Sequence, residues 1–80
     1  MTDQDILEAF TRIIRDLLAN DSIVLTMETR REDVDNWDSF TYVNFIAVAE
    51  MEFGVRFSVT DVESFENVGA IVRQTEALLS

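Results

Sequence analysis

The tripeptide Asp38-Ser39-Phe40 contains the residues best placed for chemistry, at the junction between a polar stretch and an apolar run. Aspartate is a preferred helix N-cap, so Asp38 predicts that Ser39 occupies the first helical position. A hydroxyl at that position lies beside backbone N–H groups that have no partner within the helix. Those groups and the positive end of the helix dipole would stabilise an anion attached to the serine. The tripeptide indicates a candidate attachment site, although a motif this short also occurs by chance.

Catalysis by Ser39 itself is not supported, because the sequence contains no histidine, cysteine or lysine that could act as its base. A calcium-binding loop beginning at Asp33 would place Trp37 at its fifth position and Asp38 where a glycine is required. Its twelfth position would be Asn44 instead of glutamate. The sequence therefore predicts no catalytic residue and no metal site, and the acidic clusters are interpreted as solvated surface.

The composition is typical of one small acidic domain, predicted to span residues 1–80. Its 16 acidic and 6 basic residues give a net charge of -10, which disfavours binding to nucleic acid or to anionic membranes. Basic protein surfaces are the favoured partners. The N-terminus does not resemble a signal peptide, and no apolar run approaches the roughly 20 residues that span a bilayer. We expect a cytoplasmic, monomeric protein.

Four helices are predicted from capping signals and from the spacing of apolar residues, so the fold class is all-α. The first and last helices each carry one inward stripe: Ile6, Leu7, Phe10, Ile13, Ile14, Leu17 and Leu18, and Val68, Ile71, Val72, Thr75, Leu78 and Leu79. A short third helix is predicted to open with a capping box formed by Thr60 and Glu63. Gly69 in the last helix suggests close packing there, although a neutral glycine is equally compatible with the sequence.

A stretch without helical period runs from Asn20 to Asp38, between the first two helices. Connections of this length are uncommon and tend to be packed by their own side chains. Apolar residues such as Leu25 and Trp37 predict an ordered loop that lies over the helices. The charged run from Arg30 to Asp33 is interpreted as its exposed turn.

The second helix, predicted from about Ser39 to Phe53, is apolar on two opposite sides. The inward side is Tyr42, Phe45, Ile46, Ala49 and Phe53. The other side is predicted to bind a partner protein, because a bundle this small has little left to cover it. The residues assigned to this docking face are Phe40, Val43, Asn44, Ala47, Glu50 and Met51. The long loop is expected to cover part of it and to shield Phe40.

Asp38-Ser39-Phe40, a helix ending in Glu52-Phe53-Gly54 and a last helix opening near Val68 together resemble the acyl carrier protein family. The resemblance runs from the first helix to the last. It implies a four-helix bundle with a long first loop and a short third helix. It also implies that Ser39 carries 4′-phosphopantetheine derived from coenzyme A, and that Asp38 belongs to the motif recognised by the phosphopantetheinyl transferase.

The resemblance further implies a carrier, not an enzyme, which holds acyl intermediates as thioesters for enzymes of fatty acid, lipid or polyketide-type biosynthesis. Asn44 and Met51 depart from the family pattern, since well-known fatty-acid carriers have glutamates there. That departure implies a specialised carrier with dedicated partners whose docking patches are basic or apolar, and Met1 favours a free-standing chain. The alternative is a small acidic helical adaptor that binds a protein through the docking face without a prosthetic group.

Overall fold

A computed structural model describes residues 2–80, most of which lie in four α-helices. They are α1 (Asp3–Leu18), α2 (Ser39–Phe53), α3 (Val59–Ser64) and α4 (Val68–Leu79), with a 3-10 turn at Arg31–Asp33. No strand occurs among these described residues. The predicted all-α class, the long first connection and the short third helix are confirmed.

Helix α1 begins with a capping box in which Thr2 and Asp5 each accept the other's backbone N–H at 3.2 Å. Its buried residues recur at helical spacing on one face and are Ile6, Phe10, Ile13 and Ile14. Leu17, Leu78 and Leu79 were predicted to face inward, and for them the prediction is wrong. They lie in the last turns of α1 and α4 and remain exposed.

Aromatic rings join α1, α2 and the long loop at the centre of the core. The Phe10 ring meets Phe45 and Phe53 edge-on, with centroid distances of 5.1 and 5.7 Å. Trp37 from the loop meets Phe45 in the same way at 5.3 Å. Each such pair contributes about 0.5–1.5 kcal/mol beyond the burial of its area. These contacts confirm the predicted inward side of α2, whose buried residues are Tyr42, Phe45, Ile46 and Ala49.

The long loop is fastened to the start of α4 by backbone hydrogen bonds. The N–H of Val68 donates to the Thr29 carbonyl oxygen, and the N–H of Gly69 donates to that of Met27, both at 2.8 Å. The Asn67 side chain accepts the N–H of Ala70 at 2.9 Å. Three N–H groups that the helix itself leaves unpaired therefore have partners.

The other end of the long loop is held by α1. Arg15 donates from its Nε to the Ile23 carbonyl oxygen at 2.6 Å, and the side chain of Leu25 is buried in the core. The charged turn from Arg30 to Asp33 is exposed, as predicted. An ordered loop packed over the helices is thus confirmed.

Helix α3 begins earlier than predicted. Its N-cap is Ser58, whose Oγ accepts the Asp61 N–H at 3.0 Å while Asp61 accepts the Ser58 N–H at 3.3 Å. The predicted cap at Thr60 is wrong. The pairs Ser58/Asp61 and Thr60/Glu63 have the same capping-box spacing, and the structure uses the first. The position of Phe57 favours the Ser58 cap. Phe57 is buried, its N–H donates to the Glu50 carboxylate at 2.8 Å, and the helix begins just after it.

Gly69 is predicted to be required for the contact between α4 and the long loop. A Cβ there would lie 2.5 Å from the Met27 carbonyl oxygen, which confirms the close packing. We expect Gly69→Ala to lower the free energy of unfolding by about 1–3 kcal/mol, as for other overpacked sites. Helix propensity alone would raise it by about 1 kcal/mol.

The measurement is urea denaturation, and the exposed position Arg73 on the same helix supplies the control Arg73→Ala. A Gly69→Ala protein that is more stable than the wild type would show that the loop does not pack there.

Candidate functional site

Ser39 is the first residue of α2 and is exposed. Asp38 caps the helix, with its carboxylate accepting the Thr41 N–H at 2.9 Å. This hydrogen bond is the main reason why the pKa of Asp38 lies below its usual value, since it favours the charged form. The predicted cap and the predicted position of the serine are confirmed.

The start of α2 has the surroundings that a covalently attached phosphate group requires. An exposed hydroxyl at a helix N-terminus lies beside backbone N–H groups and the positive end of the dipole, both of which stabilise an anion. The first turn of α4 differs, because loop carbonyl oxygens already accept the N–H groups of Val68 and Gly69. Asp38, Ser39 and Phe40 are all exposed, so the first turn of α2 is accessible to a modifying enzyme.

A buried ring holds the segment that leads into this turn. Trp37 is only 5% exposed and packs against Phe45 in the core. Asn36 before it has a left-handed backbone with φ of 69°, which asparagine adopts more readily than most residues. The chain therefore passes from a buried anchor to the exposed Asp38 within one residue, and this places Ser39 on the surface.

Tyr42, one turn after Ser39, connects three parts of the molecule. Its hydroxyl donates to the Val62 carbonyl oxygen of α3 at 2.6 Å. The Arg31 guanidinium from the loop lies over its ring, 4.4 Å from the centroid. Burial raises the pKa of Tyr42, and the nearby positive charge of Arg31 partly opposes the rise. The tyrosine thus ties α2 to α3 beside the candidate site.

One cavity is lined by Ser39, and two others adjoin that cavity. The first is an open depression lined by Arg31, Ser39, Tyr42, Val43, Val62, Glu63 and Phe65. It shares Val43 and Val62 with an apolar groove of about 240 Å³ between α2 and α3. It shares Tyr42 and Phe65 with a smaller cavity of about 140 Å³ that reaches Trp37. The sequence did not reveal them, because their walls come from distant segments.

The docking face is largely exposed. Phe40, Val43 and Met51 expose 68%, 62% and 83% of their surface, and Asn44 and Ala47 are exposed beside them. The expectation that the loop shields Phe40 is wrong. The loop residue Trp37 contacts Phe45, and the loop residue Arg31 contacts Tyr42. Tyr42 lies two positions after Phe40, and residues two apart on a helix do not share a face. The docking role of these residues stays a prediction.

The two glutamates at the flank of the docking face are engaged within the bundle. Glu50 is half-buried and accepts the Phe57 N–H at 2.8 Å, which connects α2 to the segment before α3. Glu52 pairs with Arg12 of α1 at 3.1 Å, although both side chains are substantially exposed. The centre of the face therefore presents apolar side chains and one amide.

Comparison with known proteins identifies the family. No protein-family model matches the chain. Among solved structures, it is similar to the solution NMR structure of a holo acyl carrier protein from Geobacter metallireducens, with 36% sequence identity and a TM-score of 0.84. The match covers 91% of this chain and 84% of that chain. The chain belongs to the acyl carrier protein family.

The family resemblance inferred from the sequence is therefore confirmed, as is the four-helix acyl carrier fold. This fold is that of a non-catalytic carrier protein, whose partners are enzymes of acyl metabolism. Within the described residues, no helix is long and apolar enough to cross a membrane.

The cap of α2 in this carrier predicts a pH dependence. Because the folded state holds the pKa of Asp38 below its unfolded value, the ionised carboxylate stabilises the fold. That contribution is present above the unfolded pKa and is lost as pH falls through the folded pKa. We expect Asp38→Asn, which keeps a capping oxygen, to be less stable than the wild type at pH 7 and to match it near pH 2.

The measurement is thermal melting by circular dichroism as a function of pH. Asp35→Asn serves as the control, because it removes the same charge from an exposed loop position outside the cap. If the difference between wild type and Asp38→Asn did not shrink in acid, the carboxylate–Thr41 bond would not be the origin of the stabilisation.

Proposed function

We propose that this chain carries acyl groups as thioesters on a 4′-phosphopantetheine arm attached to Ser39. The observation that carries the proposal is an exposed serine at the first position of α2, directly after the Asp38 cap. The similar solved structure is that of an acyl carrier protein in its holo form, which supports the same role here.

The residues around Ser39 fit such an arm. Its phosphate would lie at the N-terminus of α2, where backbone N–H groups and the dipole favour negative charge. The arm supplies a thiol for the thioester, and partner enzymes supply the catalysis. The chain's own residues present the hydroxyl, cap the helix through Asp38 and hold the approach to it through Trp37.

The proposed partners are a phosphopantetheinyl transferase and enzymes that load or transfer acyl groups. The net charge of -10 favours basic patches on those enzymes and increases the rate of encounter with them. We place the protein in the cytoplasm as a monomeric, single-domain, non-enzymatic carrier in fatty acid, lipid or polyketide-type biosynthesis.

A second candidate is the adaptor without a prosthetic group, favoured by the exposure of Phe40, Val43 and Met51. Exposed apolar side chains on one helix face are typical of protein interaction sites. This function requires no modification of Ser39, so modification separates the two candidates.

The attachment proposal predicts one covalent addition. Incubation with coenzyme A, magnesium and a broad-specificity phosphopantetheinyl transferase is expected to add a single phosphopantetheine, measured by intact mass. Ser39→Ala is expected to add none while keeping the helical circular dichroism of the wild type, since an exposed hydroxyl contributes little to the core.

The matched control is Ser64→Ala, which removes an exposed serine hydroxyl from α3 and is expected to be modified like the wild type. An unmodified wild type across several transferases would favour the adaptor.

We further propose that the carrier serves dedicated enzymes with a more apolar docking site than those of general fatty-acid synthesis. The support is the centre of the docking face, where Val43, Asn44 and Met51 stand exposed without a carboxylate. Glu50 and Glu52 carry their carboxylates into contacts within the bundle. A flexible methionine packs against varied apolar surfaces and suits such a site.

Charge restored to the docking face is predicted to improve use by generic enzymes. With a standard malonyl transferase and ketosynthase, we expect slow turnover of the holo-protein and a severalfold rise for Asn44→Glu/Met51→Glu, because added carboxylates speed association with basic patches. The control Gln4→Glu/Ala77→Glu adds the same charge at exposed positions on α1 and α4. Turnover like that of an ordinary carrier, unchanged by either pair, would contradict a dedicated docking site.

A further inference from the structure

Arg31 has no carboxylate partner. Among residues 2–80 no ion pair includes this arginine, whereas its neighbour Arg30 pairs with Glu32 at 3.1 Å. The contact that Arg31 does make is with the ring of Tyr42, 4.4 Å from the centroid. A cation–π contact of this kind uses the charge of the guanidinium but none of its five N–H donors. Arg31 is exposed, so these donors are accessible to an anion.

The contact with Tyr42 holds the guanidinium close to Ser39. The tyrosine hydroxyl donates to the Val62 carbonyl oxygen at 2.6 Å, so the ring is fixed between α2 and α3. Ser39 lies three residues before Tyr42, and side chains at that spacing are neighbours on a helix, with Cβ atoms about 5–6 Å apart. Arg31, Ser39 and Tyr42 line the same open depression. A phosphate on the Ser39 hydroxyl would therefore lie within reach of the guanidinium.

A phosphodiester on Ser39 would also gain from a nearby cation, because negative charge is already present there. The Asp38 carboxylate caps α2 by accepting the Thr41 N–H at 2.9 Å. Glu63 of α3 lines the same depression as Ser39 and brings a second carboxylate. Like charges at this separation repel each other. Arg31 is the one basic residue in the wall of the depression, so it is the group that can offset them.

We propose that the guanidinium of Arg31 binds the phosphate of an arm attached to Ser39 and holds the start of that arm in the depression between the long loop, α2 and α3. The inference rests on the proposed carrier function and names a residue that positions the arm. Arginine suits this role, since two of its N–H groups can pair with two phosphate oxygens. Only the phosphate end is held, so the thiol end stays available to partner enzymes.

The experiment compares thermal stability before and after attachment of the arm. Apo-protein is converted to holo-protein with coenzyme A and a phosphopantetheinyl transferase, and intact mass confirms the conversion. Circular dichroism gives the melting temperature of each form. Subtracting the apo value removes the effect of Arg31 on the fold itself, because its contact with Tyr42 exists without the arm. We expect Arg31→Gln to lower the holo-minus-apo melting temperature by about 1–5 °C, as for an exposed ion pair in a small domain.

Two variants separate the phosphate contact from general charge. Arg30→Gln removes the same charge from the neighbouring position, whose side chain pairs with Glu32, and is expected to keep the wild-type difference. Arg31→Lys keeps the charge without the planar fork, so it is expected to retain part of the difference. In about 1 M sodium chloride the loss in Arg31→Gln is expected to shrink, because salt screens exposed charges.

The Arg31 side chain gives a second readout in the wild type. Its Nε–H, assigned in a ¹⁵N spectrum, is expected to exchange with solvent roughly two- to tenfold more slowly in the holo-protein than in the apo-protein. If Arg31→Gln does not fold or does not accept the arm, these wild-type exchange rates decide.

An unchanged exchange rate, together with the same holo-minus-apo difference in wild type and Arg31→Gln, would overturn the proposal and leave Arg31 as a packing contact of Tyr42. Equal losses in Arg31→Gln and Arg30→Gln would also overturn it, because the effect would then come from net charge. A wild type that gains no arm would instead refute the carrier function at Ser39, so the two failures are distinguishable.

Discussion

Burial of the Trp37 ring against Phe45 places the exposed start of α2, because the chain passes from the core to the surface between residues 37 and 38. Asp38 then caps the helix through Thr41, and Ser39 follows at the first position. The site combines a rigid approach with an accessible hydroxyl. The proposed attachment of an arm to Ser39 needs both, since a modifying enzyme must reach the hydroxyl while the helix holds it in place.

The same loop that delivers Trp37 also distinguishes two helix starts. Its carbonyl oxygens at Met27 and Thr29 accept the N–H groups of Gly69 and Val68, so the first turn of α4 is occupied. The first turn of α2 keeps its exposed position for an anion. The loop can approach the start of α4 this closely because Gly69 has no side chain.

Charge is distributed unevenly with respect to the docking face. The chain as a whole has a net charge of -10, yet the centre of the face is apolar, and its flanking glutamates contact Phe57 and Arg12. In the proposed binding of partner enzymes, long-range attraction to basic surfaces and short-range apolar contact would therefore come from different parts of the molecule. The first acts on encounter rates with many enzymes, whereas the second acts on which complexes persist.

Local interactions are what the sequence determined. The cap at Asp38, the inward side of α2 and the four-helix class follow from hydrogen bonds over three residues and from the 3.6-residue period, and all are confirmed. The family is also visible in the motif around Ser39. The start of α3 was misassigned because two capping pairs with the same spacing compete, and only burial of Phe57 separates them.

Contacts between distant segments were decided by the tertiary structure alone. The sequence does not show which side of α2 the loop covers, so the exposure of Phe40 could not be predicted. Nor does it show that Trp37 lines a cavity, because the wall includes residues of the loop, α2 and α4. A side chain's hydrogen-bond partners in the core depend on the relative placement of these elements, and that placement is set by packing, which has no period in the sequence.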